Sequence, residues 1–247
     1  MDVDVVDGSA AFDASAALDV SAPFFDNASV ASLEGLSLWL DASRGVSDPT
    51  VETWHDQSPN ADAAVAVAGS LTPDYLRNEL NGYPAVQLQG TATMTVTGPH
   101  AGAAAAFGTA EFLVEIVTRW DRDSTFLQTD HAFVVSGDTE ASMTVGTTPL
   151  RTAGANLGDG TFHVVGARRS GVGASTRLDL RVDGAVAATV TSADDARDLG
   201  GAADTPVATL GPGNDAELVE LVVVKGPISS ANLSGLEGYL RAKYALP

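Results

Sequence analysis

The chain has no cysteine among its 247 residues, which excludes disulfide bonds, thiolate catalysis and cysteine-ligated metal sites. Basic residues are scarce as well, since 13 Lys and Arg stand against 32 Asp and Glu, giving a net charge of −19. This balance argues against binding to nucleic acid or to anionic lipid surfaces, both of which need a basic footprint. The sequence also lacks a run of the roughly 18 apolar residues that a membrane helix needs.

Aromatic residues make up only 6% of the chain, whereas hydrophobic residues of all kinds reach 45%. We therefore expect a core built from Val, Leu and Ala. The length suits one large β-sandwich or two small domains. No basic segment followed by an apolar one opens the chain, so no signal peptide is visible. The Asp-rich opening predicts a chain that starts downstream of a removed export signal.

Asp, Ala, Ser and Val dominate residues 1–30, and the first basic residue of the chain is Arg44. Such a segment repels itself and buries little apolar surface, which predicts a disordered or extended acidic spacer ahead of a domain at 31–247. Partly alternating runs at 2–6 and 16–20 leave open that the segment adds edge strands. It resembles the spacers that follow the lipidated cysteine of bacterial surface lipoproteins.

From residue 31 onward the pattern predicts an all-β protein. About a dozen short segments rich in β-forming residues are separated by turn signals every ten residues or so, which is typical of a β-sandwich. Residues 111–120 predict one long strand, and Asp183–Gly184 predicts a tight hairpin turn. Residues 73–83 predict a loop or a single helical turn instead.

The carboxyl terminus predicts a buried strand followed by a closing helix. Val222, Val223 and Val224 belong to the strand, and Ser229 or Ser230 can cap the helix through its side-chain oxygen. The helix then presents one apolar stripe at three- and four-residue spacing, formed by Leu233, Leu236, Leu240 and Tyr244.

Four stretches resemble the laminin-G-like, concanavalin A-like jelly-roll domains of bacterial secreted proteins. They read LSLWLDASRGV…VETWHDQSPNAD, NGYPAVQLQG, TFHVVGARR…LDLRVDGAVAATV and LSGLEGYLRAKYAL. The resemblance covers residues 33–247 and implies two antiparallel sheets with a short C-terminal helix, in an extracellular or cell-surface protein. Pro59 stands where the family usually has glycine, which puts the usual turn geometry there in doubt.

The loop 55–62 contains the oxygen ligands that calcium prefers, Asp56, Asn60 and Asp62. Some domains of the resembled family bind calcium at a loop rim, so a calcium site here is one expectation. The alternative is structural, because Asp, Ser and Asn side chains also stabilise turns through their own hydrogen bonds.

Sugar recognition commonly pairs an exposed aromatic ring with polar side chains, and the candidate ligand-binding residues are Trp120, Tyr75, Tyr83 and Asp121. Trp120 ends a predicted strand beside Asp121, at the rim of the domain, although packing in the core is an equal alternative for its ring. Tyr75 and Tyr83 lie in predicted loops.

No catalytic residues are predicted. The sequence has no zinc-protease motif and no nucleophile elbow. Glu111 and Glu115 share a strand face about 13 Å apart, too far for the carboxylate pair of a retaining glycosidase. Glu217 and Glu220 are predicted to lie on opposite faces of the final strand.

The leading functional hypothesis is therefore a non-catalytic carbohydrate-binding or adhesion module of an exported or surface-attached bacterial protein, with a glycan or a cell-surface protein as its partner. One alternative is a structural or assembly subunit of a surface structure that binds a protein. The other is a divergent polysaccharide hydrolase. The function rests on resemblance of fold, which by itself does not determine function.

Overall fold

The structure is a computed structural model. It describes residues 25–46, 49–101, 107–108, 110–129, 133–145, 148–154, 156–171, 176–191, 199, 208–211 and 215–247. Two eight-stranded sheets face each other, and every strand pair in them is antiparallel. The predicted all-β sandwich is confirmed.

Sheet one has the long C-terminal strand at its centre. Its strands, in spatial order, are β14 (Ala185–Thr191), β13 (Arg177–Val182), β12 (His163–Ser170), β7 (Phe112–Arg119), β16 (Ala216–Lys225), β5 (Tyr83–Leu88) and β4 (Asp74–Leu80). One further strand, β1 (Leu36–Asp41), pairs with β16 beyond the end of β5. Nine of the ten residues of β16 are buried.

Sheet two covers the inner face of sheet one. Its order is β11 (Thr148–Arg151), β10 (Ala141–Val145), β9 (Phe133–Gly137), β8 (Ser124–Thr129), β15 (Ala208–Leu210), β6 (Met94–Thr97), β3 (Ala63–Ala66) and β2 (Thr53–His55). Two helices complete the described part of the chain, α1 (Asn27–Ala31) and α2 (Ser230–Tyr244). Neither is long and apolar enough to cross a membrane.

Alternation along β7 shows how sheet one acquires two apolar faces. Val114 and Ile116 point into the core between the sheets, and Leu113 and Val117 belong to a second apolar cluster on the outer face. Successive side chains of a strand point to opposite faces, so a strand with both faces covered reads as a continuous apolar run. Trp39, which stands between the inward-facing Leu38 and Leu40 of β1, lies in that outer cluster.

Helix α2 covers the outer face of sheet one, as the C-terminal pattern predicts. The side-chain oxygen of Ser229 accepts a hydrogen bond from the backbone N–H of Asn232 at 3.1 Å. Leu240 and Tyr244 are fully buried in the outer cluster. The helix ends at Ala245, whose positive φ of 52° lets the N–H of Leu246 bond back to the carbonyl of Arg241 at 2.9 Å, a common way to end a helix.

The predicted domain boundary at residue 31 is too late, because part of the supposed spacer packs against α2. Asp26 caps α1, and Val30 is fully buried in the outer cluster. The ring of Phe25 lies against Gly235 so closely that a Cβ there would be 2.5 Å from it. Residues 1–24 lie outside the described residues, so the prediction of a spacer stands for them.

Two local predictions have opposite outcomes. The turn at Asp183–Gly184 is confirmed, with φ of 50° and 81°, the positive values of a type I′ turn. The loop predicted for residues 73–83 is wrong, because Asp74–Leu80 form β4. This strand lies at the edge of its sheet with most side chains at least partly exposed, so its sequence lacks the apolar alternation that normally predicts a strand.

A bulge in β16 overturns the prediction that Glu217 and Glu220 lie on opposite faces. The register between β16 and β7 shifts between Leu218 and Glu220, which adds one residue to the count between the two glutamates. Both carboxylates therefore lie on the outer face, where Glu217 bonds to Arg119 and Glu220 bonds to Lys243 of α2. A bulge reverses the facing of every residue beyond it.

The buried carboxylate of Glu220 joins the sheet to α2. Its oxygens accept hydrogen bonds from Trp39 Nε1 at 2.7 Å, Lys243 Nζ at 2.8 Å and Tyr244 OH at 2.6 Å. Lys243 also bonds to Asp41 at 2.8 Å. Burial alone would lower the pKa of Lys243, but the charges of Glu220 and Asp41 offset it and raise this pKa above its ordinary value. These five residues are the Lys243 cluster.

A second carboxylate on the same face has no such partners. Glu115 is 1% exposed, and neither oxygen has a hydrogen-bond partner among the described residues. Its side chain lies over Gly166, where a Cβ would be 2.5 Å from Oε1. Burial, with the nearby charge of Glu237, raises the pKa of Glu115 well above its ordinary value, although Arg181 acts in the opposite direction.

Removing the cation of the Lys243 cluster should destabilise the domain strongly. Lys243→Met leaves two carboxylates buried without a positive charge, and the expected loss is about 3–5 kcal/mol in the free energy of unfolding. Urea denaturation measures it. Arg241→Met is the matched control, because Arg241 lies in the same helical turn and has no Asp or Glu partner among the described residues. Equal stability of the two variants would contradict the role of the cluster.

Glu115 should make the protein less stable as pH rises. Glu115 is protonated in both states below about pH 4.5. Above that pH the unfolded state loses its proton while the folded state keeps it, so stability falls until the pH passes the raised pKa of the folded state. Glu115→Gln stays neutral, so it should exceed the parent in Tm at pH 8 by about 2–4 °C and match it near pH 4. The exposed Glu34→Gln is the control, and a parallel pH profile in all three proteins would contradict this prediction.

Candidate functional site

Both carboxylate oxygens of Asp56 accept hydrogen bonds from the protein. Its Oδ1 accepts from the N–H groups of Trp39 and Ser58, both at 2.8 Å, and its Oδ2 accepts from the hydroxyl of Ser58 at 2.6 Å. The side-chain amide of Asn60 donates to the carbonyl of Ser37 at 2.8 Å. The side chains of Asp56 and Asn60 thus hold the loop through their own hydrogen bonds, which is the structural alternative to calcium binding.

Asp62 is the loop residue with unused bonding capacity. It is 2% exposed, and its Oδ1 accepts from the N–H of His100 at 3.0 Å, while Oδ2 has no partner among the described residues. Within those residues, no three His, Cys, Asp or Glu side chains are grouped to hold a metal ion. The calcium site stays a prediction, with Asp62 as the ligand that the geometry leaves free.

Trp120 does not offer its ring to a ligand. It is 1% exposed, packs 5.0 Å from Phe126 and donates its Nε1 hydrogen to the carbonyl of Asp138 at 2.6 Å. The expectation of a stacking platform is therefore wrong for this ring, and its packing alternative holds. A strand-end tryptophan packs inward here because Gly137 leaves room for it, since a Cβ there would be 2.5 Å from the ring.

Asp121 lines a surface cavity of about 400 Å³, which shares Asp215 with a neighbouring cavity of about 670 Å³. We call these two cavities the polar groove, lined by Gln87, Arg119, Asp121, Arg122, Asp123 and Asp215 among others. Arg122 lies 3.4 Å from Asp215 and 3.6 Å from Asp121, with both partners well exposed. Exposed ion pairs of this kind contribute little to stability.

Two carboxylates also meet beside the polar groove, but an arginine holds them. Arg119 Nη2 bonds to Glu79 and, at 2.6 and 2.7 Å, to both oxygens of Glu217. Burial raises the pKa of Glu217 in spite of this pairing. In a glycosidase the space between two such carboxylates must receive the glycosidic oxygen, and here the guanidinium occupies it. The two carboxylates therefore form ion pairs with Arg119, which connects β4 to β16.

The two predicted tyrosines differ in exposure and surroundings. Tyr75 is partly buried and packs against the core between the sheets. Burial and the charge of Asp41 raise its pKa. Tyr83 is also partly buried, but it lines a surface cavity of about 460 Å³. That volume lies within the range of sites for small ligands.

We call this cavity the aromatic pocket. Its lining comes from four separate parts of the chain: the approach to α1, the loop after β1, the start of β5 and the last turns of α2. The residues are Phe25, Asp26, Asn27, Ser43, Arg44, Tyr83, Tyr239, Ala242 and Lys243. Three aromatic rings, two cations and several hydrogen-bonding groups thus line one concave surface.

Lys243 is the member of the Lys243 cluster that lines the aromatic pocket, and it contacts two of the pocket's rings. The ammonium of Lys243 lies 5.8 Å from the ring centre of Tyr83 and 5.4 Å from that of Tyr239. Tyr83 also meets Tyr244 edge to face at 4.9 Å. The hydroxyl of Tyr239 donates to Asn27 Oδ1, which ties α1 to α2. Rings held from several sides form a preorganised surface, so little entropy is lost when a ligand binds.

Sequence reasoning identified only Tyr83 among these lining residues. The others lie far apart along the chain, and the local sequence gives no reason to group them. Phe25 ends the acidic segment, Arg44 lies in a loop, and Tyr239 and Lys243 belong to the C-terminal helix. One usable signal was present, because Tyr239 lies off the apolar stripe of α2 formed by Leu236 and Leu240. An aromatic residue off that stripe marks the edge of the helix contact, where pockets form.

No family model and no curated protein matches the chain. Solved structures do match it. The binding domain of Paraclostridial Mosquitocidal Protein 1 aligns with a TM-score of 0.60 and 11% identity, over 82% of this chain and 52% of that one. The binding domain of botulinum neurotoxin DC in complex with rat synaptotagmin II gives 0.56 and 8%, over 83% and 51%.

The same botulinum neurotoxin DC domain in complex with SialylT gives a TM-score of 0.53 and 10% identity, over 83% of this chain and 51% of that one. The chain therefore spans about half the length of the binding domains that it matches. At identities this low the likeness establishes the fold alone. The chain is similar in fold to a lectin-like β-sandwich of bacterial toxin binding domains.

Proposed function

We propose that the chain is a non-catalytic carbohydrate-binding or adhesion module whose ligand occupies the aromatic pocket. The observation that carries this proposal is the joining of Tyr83, Tyr239 and Phe25 with Arg44 and Asn27 around one cavity of about 460 Å³. Sugar rings have apolar faces and polar edges, so a site for them needs both kinds of surface. The fixed rings and the free hydrogen-bonding groups of this pocket supply both.

The fold comparison supports binding as the general function. Of the two botulinum neurotoxin DC domains, one is in complex with SialylT and the other with synaptotagmin II. The proposal extends to the finer features implied by the resemblance: a laminin-G-like domain, an exported or surface-attached bacterial protein, and calcium at the loop of Asp62. The charge of −19 supports such a setting, because it favours solubility and opposes adsorption to other anionic surfaces.

A glycan array probed with the full chain tests the proposal, once with calcium and once with a chelator. Tyr83→Ala should lose binding by about tenfold or more, because it removes a ring face, and an aromatic contact contributes about 0.5–1.5 kcal/mol beyond its buried area. Tyr83→Phe keeps the ring and should bind as the parent does. Thermal unfolding of both variants separates lost binding from lost folding. A blank array under both conditions contradicts the proposal.

The calcium part has its own readout. Asp62→Asn should weaken only the signals that the chelator also removes, because it neutralises the carboxylate that has a free oxygen. If glycan binding is indifferent to the chelator and to this substitution, calcium has no part in recognition and the aromatic pocket accounts for it alone.

One observation favours the alternative of a protein-binding assembly subunit. The edge strand β14 reads AVAATVT, without charge or proline, and five of its seven residues are exposed. The other sheet edges are less open to pairing: β4 carries charges, β11 contains Pro149, and β2 has three residues. An exposed, uncharged edge can pair with another strand.

Val186→Lys tests this alternative, since Val186 is 43% exposed and an edge lysine opposes strand pairing. If the parent chain self-associates in sedimentation equilibrium and this variant does not, β14 is an assembly edge. If the parent is monomeric up to about 100 μM, a concentration at which pairing with a micromolar dissociation constant would be detected, the assembly function fails for this edge.

A further inference from the structure

Arg44 is placed to bind a ligand and is little used by the protein. Its guanidinium stacks over the Trp39 ring at 5.6 Å and lines the aromatic pocket. Its one ion pair joins Nε to Asp41 Oδ2 at 3.6 Å, and the side chain is 40% exposed. That distance is too long for a hydrogen bond, so five N–H donors remain without an acceptor in the described part of the chain.

Three other arginines of the described chain use their guanidinium groups in hydrogen bonds within the protein. Arg181 holds both oxygens of Glu237, Arg119 holds Glu217, and Arg169 donates to backbone carbonyls at 2.5 and 2.8 Å. Each of these joins two elements of the sandwich. Among the described residues, Arg44 contacts only Asp41 and Trp39 of the preceding strand β1 in this way, and it joins no second element of the sandwich.

The second cation of the pocket is already neutralised. Lys243 lies between Asp41 and Glu220 at 2.8 Å from each, so it has no unpaired charge to offer a ligand. Arg44 therefore sets the anion preference of the pocket. One guanidinium suits one carboxylate, which it can bind through two parallel hydrogen bonds. The carboxylate of Asp26 also lines the pocket, so it repels a doubly charged phosphate more strongly than a singly charged carboxylate, and phosphate is less suited.

The side-chain amide of Asn27 gives the pocket a second free donor. Oδ1 of Asn27 accepts from Tyr239, which leaves the NH₂ group of Asn27 to donate. The hydroxyl and the N–H of Ser43 both donate to Asp41 Oδ1, at 2.6 and 2.8 Å. A ligand rich in acceptor oxygens matches this arrangement, with its apolar ring face on Tyr83.

We infer that the ligand of the aromatic pocket is an acidic sugar, a residue of the hexuronic acid class, whose carboxylate binds Arg44. This inference rests on the proposed function and narrows it to one ligand class. Trp39 orients the guanidinium, the tyrosines contact the sugar ring, and Asn27 donates to ring or hydroxyl oxygens. Recognition is by binding only, and no bond of the sugar is broken.

The test compares methyl glucuronoside, its methyl ester and methyl glucoside as ligands of the full chain, by NMR titration. The ester keeps the shape of the acid and removes its charge. The acid should bind the parent protein about tenfold more tightly than either neutral sugar. Arg44→Gln should abolish that preference, and Arg44→Lys should lose most of it, because an ammonium cannot form the paired bonds of a guanidinium. Arg122→Gln, in the polar groove, should keep it.

The outcomes separate this inference from the function on which it rests. If acid and ester bind the parent equally while Tyr83→Ala binds neither, the pocket binds sugars and the acidic class is wrong. If the acid preference survives Arg44→Gln but not Arg122→Gln, the carboxylate binds in the polar groove and the assignment to Arg44 is overturned. If none of the three sugars binds and the array is blank, the carbohydrate function itself fails.

Discussion

The burial of Glu220 under α2 is the interaction on which the rest of this structure depends. A carboxylate in an apolar layer is costly unless it is paired and fully bonded. Trp39, Lys243 and Tyr244 meet that requirement from a strand and a helix that are distant in sequence. The requirement fixes the helix in register on the sheet, since apolar packing alone would tolerate small shifts. The same fixed helix end then forms the floor of the aromatic pocket.

The bulge in β16 makes this arrangement possible. Without the extra residue between Leu218 and Glu220, Glu220 would point into the core between the sheets, where the cluster contains only apolar side chains. With the extra residue, Glu217 and Glu220 lie on one face of the sheet. Glu217 binds Arg119, which also binds Glu79 of β4, and Glu220 binds Lys243 of α2. A single inserted residue thus lets strand β16, at the centre of sheet one, bind both the edge strand β4 and the covering helix α2.

Stability and binding use the same side chains in different ways. Lys243 neutralises buried charge and also holds Tyr83 and Tyr239 in place by cation–π contacts. Asp41 Oδ2 lies 2.8 Å from the ammonium of Lys243 but 3.6 Å from Nε of Arg44. Arg44 is therefore the cation whose N–H donors the cluster leaves unused, next to rings that Lys243 holds in place. Glu115, by contrast, is buried without such compensation among the described residues, and none of the three cavities considered for binding includes it.

The sequence by itself determined the features that repeat over short distances. Two-residue alternation and turn residues predicted the all-β sandwich, the hairpin at Asp183–Gly184 and the long strand β7. The spacing of Leu233, Leu236 and Leu240 predicted α2, because helix and strand periodicities are local properties of the chain. Only the tertiary structure decided the burial of Trp120, the facing of Glu220 and the pocket around Tyr83. A bulge has no compositional signature here, and the pocket joins residues more than 200 positions apart, so their proximity follows from packing and not from any local pattern.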